Sequence, residues 1–146
     1  MQTMKDLLSQ KIYELPETVR NSFANIILQE DSVVSICAAS LFVAVKLRKE
    51  DEDHPLTQFT LDRLEDISAQ TIGSVGQEIN LSYDVDTLTF MRFACEYAIQ
   101  DFDEFYSNPQ INTMLGGADV NTVTSKLHHC AIALTASIAI ALTSAV

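Results

Sequence analysis

Apolar residues recur along most of the chain at intervals of three and four, the signature of helices that bury one face. Met4, Leu7, Leu8, Ile12 and Leu15 make such a stripe opposite Lys5, Asp6, Ser9 and Gln10, so residues 2–15 are predicted as a short amphipathic helix. Pro16 followed by Glu17 fits the first turn of a second helix. Proline there lacks only an amide that has no partner in any case, and glutamate favours the positive end of the helix dipole. Val19, Phe23, Ile26 and Ile27 would form its inner face. Asp31 or Ser32 can cap a third helix over about 32–48, in which Val33 to Val45 passes without a formal charge and Lys46, Arg48 and Lys49 close the last turn. That run is rich in β-branched residues, but its length and its flanking cap and charges favour a helix covered on most sides.

The acidic stretch Glu50-Asp51-Glu52-Asp53-His54-Pro55 reads as a surface connection. Thr57 or Thr60 then caps a fourth helix with Leu61, Leu64, Ser68, Ile72, Val75 and Ile79 on one side, and Gly73 and Gly76 leave its continuity open. Asn80 to Tyr83 is predicted as the next connection. Asp84 or Asp86 caps a fifth helix in which Leu88, Met91, Cys95, Ala98, Phe102 and Phe105 face inward, and Asn108-Pro109 ends it. A loop of about ten residues through Gly116-Gly117 leads to Asp119 or Asn121, the cap of a final helix over about 121–146. The pattern thus predicts an all-α fold: one domain over 1–146, a bundle of about six helices with the two largely apolar ones, about 32–48 and 121–146, near its centre.

Length agrees with a single core, because a chain of 146 residues buries roughly 70% of its unfolded surface. Four Gly and three Pro are too few for the frequent turns of a sandwich or barrel. Residues 127–146 contain no Asp, Glu, Lys or Arg and are long enough to cross a bilayer. Six alanines and several Ser, Thr and His dilute the run, and no basic or aromatic anchor follows it. The expectation is a buried bundle helix rather than a membrane tail. The amino terminus shows no apolar stretch of signal-peptide length. Cys37, Cys95 and Cys130, widely spaced among apolar residues, are expected as buried thiols of a cytoplasmic protein.

Charge changes the picture more than composition does. Twenty acidic residues against nine basic ones give a net charge of −11, which makes nucleic acid a poor partner. Residues 56–107 hold ten of those acids and two bases, whereas residues 108–146 hold only Asp119 and Lys126. If the fourth and fifth helices are neighbours, Asp62, Glu65, Asp66, Glu96, Asp101, Asp103 and Glu104 make one acidic face with Tyr97 and Tyr106 beside it. Such a face steers toward and anchors on a basic protein surface.

Catalytic chemistry lacks its parts in the sequence. There is no Walker motif, and Gly116-Gly117-Ala118-Asp119 offers an acid where a phosphate would sit. His128 and His129 precede Cys130, but adjacent helical residues diverge by about 100°. No Glu-x-x-His pair and no calcium-loop spacing occurs. Neither a catalytic residue, a cofactor nor a metal ligand is assigned. The reading is a non-catalytic acidic interaction protein, a stoichiometric inhibitor or regulator in the manner of immunity proteins and antitoxins. Two other readings are weighed beside it. One is a structural homo-oligomer joined through the apolar carboxyl-terminal helix. The other is a metal-dependent enzyme that uses carboxylates among Glu96, Asp101, Asp103 and Glu104 with Asp62, Glu65 or Asp66.

Overall fold

A computed structural model describes residues 4–13, 22–50, 53, 55–71 and 76–144. Within these residues the chain forms seven helices and two strands: α1 (Met4–Tyr13), β1 (Phe23–Gln29), α2 (Glu30–Glu50), α3 (Pro55–Thr71), β2 (Glu78–Asp84), α4 (Val85–Gln100), α5 (Phe102–Ser107), α6 (Pro109–Met114) and α7 (Val120–Ser144). The protein is mostly helical, as its periodicity predicts. It also holds a two-stranded antiparallel sheet, which corrects the all-α expectation.

The sheet falls where short apolar runs fit two periods at once. Phe23, Ile26 and Ile27 match a helical stripe over one turn, but in β1 the chain alternates, with Ile26 and Leu28 buried and Phe23, Asn25, Ile27 and Gln29 outside. β2 alternates likewise, burying Ile79, Leu81 and Tyr83. The register pairs Phe23 with Asp84 and Gln29 with Glu78, so the inward residues of the two strands face one core. Over seven residues a period of 2 and a period of 3.6 are hard to separate, and here the partner strand decides. Ile79 therefore belongs to a strand rather than to the fourth helix, and Asn80 to Tyr83 are strand rather than connection. The predicted continuation through Ile72 and Val75, and the start at Pro16 and Glu17, fall outside the described residues.

Both strands run straight into helices. The Val85 amide donates to the Ser22 carbonyl at 2.9 Å, and the Glu30 amide donates to the Gln77 carbonyl at 2.9 Å, extending the ladder at each end. Asp84 caps α4, accepting from the Thr87 amide at 3.0 Å. The chain then breaks at Asp101 (φ −108°, ψ 44°), whose amide still reaches the Tyr97 carbonyl. What reads as one helix to Asn108 is thus two, α4 and α5, set at an angle that folds Phe105 back onto the core. Asn108 caps α6 through the amides of Gln110 and Ile111, so part of the predicted ten-residue loop is helix. Gly116 and Gly117 turn the chain with φ of +65° and +76°, a region open to glycine at little cost. Asp119 caps α7, its Oδ1 accepting from the Thr122 amide at 2.7 Å.

One continuous cluster of buried residues runs through these elements. At its centre lies α2, whose buried side chains include Val33, Ile36, Ala38, Ala39, Phe42, Val43 and Leu47. Helices α1, α3, α4, α6 and α7 and both strands all touch it, as a helix apolar around most of its circumference requires. The expected central position of the second apolar helix is not what forms. α7 rests mainly on α4 and β1, and only 33% of its most apolar window is buried. Val123, Leu127, Cys130, Leu134, Ser137, Ile138 and Ala141 face in, Ala131, Ala133 and Leu142 are half-buried at the margins, and Ile132, Thr135, Ala136, Ala139, Ile140 and Thr143 meet solvent.

Candidate functional site

The acidic residues separate into two groups. Asp62, Glu65 and Asp66 are exposed on α3, and that helix meets the beginning of α4 rather than its length. Arg63 makes the join: its Nε donates to Thr87 Oγ1 at 2.8 Å, its guanidinium lies 4.2 Å from the Phe59 ring centroid, and it sits 4.0 Å from Asp84. Phe59 in turn meets Phe90 edge-on at 6.0 Å. Asp62 accepts from Gln58 Nε2 at 2.7 Å, one turn back on its own helix. Asp66 lies at the Tyr83 hydroxyl, and burial followed by that carboxylate pushes the Tyr83 pKa up. These side chains fasten α3 to the β2–α4 junction.

The second group stands at the far end of α4. From Thr87 to Asp101 the chain advances fourteen residues, roughly 20 Å at about 1.5 Å per residue. There Glu96, Asp103 and Glu104 are exposed, and Asp101 is half-buried. Asp101 lies at the Tyr97 hydroxyl with Glu104 and Glu50 nearby, and the Tyr97 ring packs against Phe42 at 5.8 Å and stacks on Phe93 at 6.0 Å. Phe42 also takes Phe105 edge-on at 5.5 Å. Lys46 lies over this aromatic layer, 5.2 Å from the Phe42 centroid and 5.9 Å from that of Tyr97, and its Nζ donates to Glu104 at 2.9 Å. Burial, then the Asp101 carboxylate at the hydroxyl, then Glu104 and Glu50, push the Tyr97 pKa up to about 12. The phenol is therefore a neutral hydrogen-bond donor held in an acidic surround.

Tyr106 has a different task. It stacks on Phe102 at 5.5 Å, and its hydroxyl donates to the Ala118 carbonyl at 2.8 Å, tying α5 to the turn before α7. Of the two tyrosines placed beside the acidic face by sequence, Tyr97 stands among the carboxylates and Tyr106 fixes a loop.

Among the described residues, no group of three or more His, Cys, Asp or Glu side chains is placed to hold a metal ion. His128 opens onto a groove with Glu96 and Ile99, and His129 onto another with Asn121, Ser125 and Lys126. Cys130 turns inward and donates to the Ser32 carbonyl at 3.4 Å. Cys95 lies beside Cys130, fully buried, and that thiol together with burial raises its pKa well above the ordinary range. Cys95 is thereby held as an unreactive packing thiol. Cys37 is buried as well, and none of the three forms a disulfide.

The sequence marked the apolar carboxyl-terminal helix as a candidate seam between copies, but not the exposed apolar side that it presents next to β1. Ile132 and Ile140 on α7 are 70% and 66% exposed, and Phe23 and Ile27 on the outer side of β1 are 71% and 60% exposed. Ile132 lines a shallow groove of about 400 Å³ between α4 and α7 with Glu96, Ile99 and Thr135. Phe23 and Ile140 share a second of about 400 Å³ where Ser137 Oγ donates to the Asn25 carbonyl at 3.3 Å. A helical projection of residues 120–144 carries the signal, because no charged residue interrupts either side after Lys126. Comparison with known protein families, with characterised proteins and with solved structures finds no match to this chain.

Proposed function

We propose that the protein is a non-catalytic interaction module, a stoichiometric inhibitor or regulator that binds a basic protein surface through the end of α4 and α5. The carrying observation is the half-buried Tyr97, with Asp101 at its hydroxyl and exposed Glu104 beside it, backed by Phe42 and Phe93. Aromatic anchors within a charged rim are the usual anatomy of a binding hot spot. The aromatic backing fixes Tyr97 before any partner arrives, which lowers the ordering cost of binding. A net charge of −11 adds long-range attraction to a cationic surface and repulsion from nucleic acid. Cysteines buried as thiols accord with a cytoplasmic protein.

The test is a paired charge reversal, Asp103→Lys with Glu104→Lys, leaving Asp101 to hold Tyr97. Purified protein and variant are compared as bait in extract of the native cell. The expected result is a basic partner held in 1:1 ratio by the parent, released by moderate salt, and bound at least about tenfold more weakly by the variant. A partner held equally by both at all salt concentrations would contradict the proposal. Far-ultraviolet circular dichroism establishes that the variant is folded.

A further inference from the structure

We propose that the outward face of α7 is the contact between two copies of this chain, packed antiparallel about a two-fold axis at Ala136. After His129 the solvent-facing residues of α7 are Ile132, Thr135, Ala136, Ala139, Ile140 and Thr143, with no formal charge among them. Five residues on this side read the same in both directions about Ala136: Ile132, the half-buried Ala133, Ala136, Ala139 and Ile140. Ala136 lies midway between Ile132 and Ile140, so a two-fold through it sets each isoleucine opposite the other copy's partner isoleucine. Ala136 and Ala139 between them let the helix backbones approach to about 8 Å, the close end of helix packing. An isologous contact needs such self-complementarity, and an arbitrary partner does not require it.

Charge selects the same occupant. Copies that each carry −11 repel one another wherever acids lie, and this stripe presents none. A basic partner gains nothing here and is drawn to the acidic end of α4 instead. Area sets the strength: Phe23, Ile132 and Ile140 are each about two-thirds exposed, and Phe23 and Ile140 share one groove. With the smaller residues of the stripe they offer on the order of 600 Å² per copy, the lower bound for a specific interface. The dimer is accordingly weak, dissociating in the range of about 1 to 100 μM.

Sedimentation equilibrium of the full chain from 1 to 200 μM tests this at two salt concentrations. A monomer–dimer equilibrium that tightens as salt is raised from 50 to 500 mM is expected, because added salt screens the like charges of the two copies while apolar contact persists. Salt acts in the opposite sense on capture of a basic partner, so the two proposals fail separately. Ile132→Glu and Ile140→Glu, both at exposed positions, each leave helicity unchanged and shift the equilibrium to monomer at least tenfold. Ala136→Cys meets its own copy across the axis and gives a disulfide-linked dimer under mild oxidation, whereas Thr122→Cys, beyond the paired segment, does not. A chain that is monomeric at 200 μM overturns the proposal, and flotation of that monomer with neutral phosphatidylcholine vesicles assigns the face to lipid instead. A dimer that survives both glutamate substitutions also overturns it.

Discussion

Two helices of this protein, α2 and α7, look alike in sequence and differ in circumstance. Both exceed twenty residues and both carry long uncharged runs. By mean hydropathy α7 is the more apolar, yet it is α2 that the fold encloses. α2 is preceded by a strand and followed by a returning helix, and every other long element lies against it. α7 comes last along the described chain and rests mainly on α4 and β1, meeting α2 less extensively. Apolar content states how much surface a helix can bury; the elements around it determine how much it does bury.

The widest separation between the two is expected in packing. Phe42→Ala on α2 removes a ring that Tyr97, Phe105 and Lys46 all contact, and costs about 3 to 5 kcal/mol in urea unfolding. Ile132→Ala on α7, measured below 1 μM, changes stability by no more than about 0.5 kcal/mol. Next in size is the junction that launches α4: Asp84→Ala removes the cap on the Thr87 amide and the partner of Arg63, and costs about 1 to 2 kcal/mol.

A smaller effect separates the same regions by pH. Tyr97, packed on α2, has its pKa raised to about 12 against an ordinary 10. The fold favours the neutral phenol, so this contribution is complete below pH 10 and is lost as pH rises toward 12. Tyr97→Phe flattens that part of the stability profile. The smallest effect ties α7 back to α2. Lys126 reaches Asp31 at 2.6 Å and holds its carboxyl below the usual range. Stability from this pair is present above the ordinary carboxylate pKa and lost as pH falls through the lowered one. Because Asp31 is mostly exposed, Lys126→Ala costs about 0.5 kcal/mol or less in physiological salt, and the difference vanishes in acid.

The helices were legible where caps and stripes agree. Asp84 and Asp119, each one of two caps that the sequence offers for α4 and α7, accept the capping amides in the structure. The strands were not, since seven-residue runs such as Phe23–Gln29 and Glu78–Asp84 declare their period only once paired across the fold. The break at Asp101 was hidden as well, because the apolar spacing continues through Phe102 and Phe105 while the backbone turns. For the acidic residues, sequence located the charge along the chain but not across it. Nothing in residues 62–66 announces that their helix meets only the first turns of α4. The exposed stripe of α7 was written in the helical phase of Ile132, Ala136 and Ile140, and an uncharged run conceals phase by offering no polar residue to mark the outside.

That contrast is tested most directly by placing the same side chain at the same residue type on each helix. Ala39 on α2 is fully buried, and Ala136 on α7 faces solvent. Urea unfolding of Ala39→Lys and Ala136→Lys, each below 1 μM so that only monomer is compared, yields two stabilities. A loss of at least about 3 kcal/mol, or failure to fold, is predicted for Ala39→Lys, and a change within about 0.5 kcal/mol for Ala136→Lys. Equal losses at the two positions would show that α7 is enclosed as α2 is, and would contradict the account.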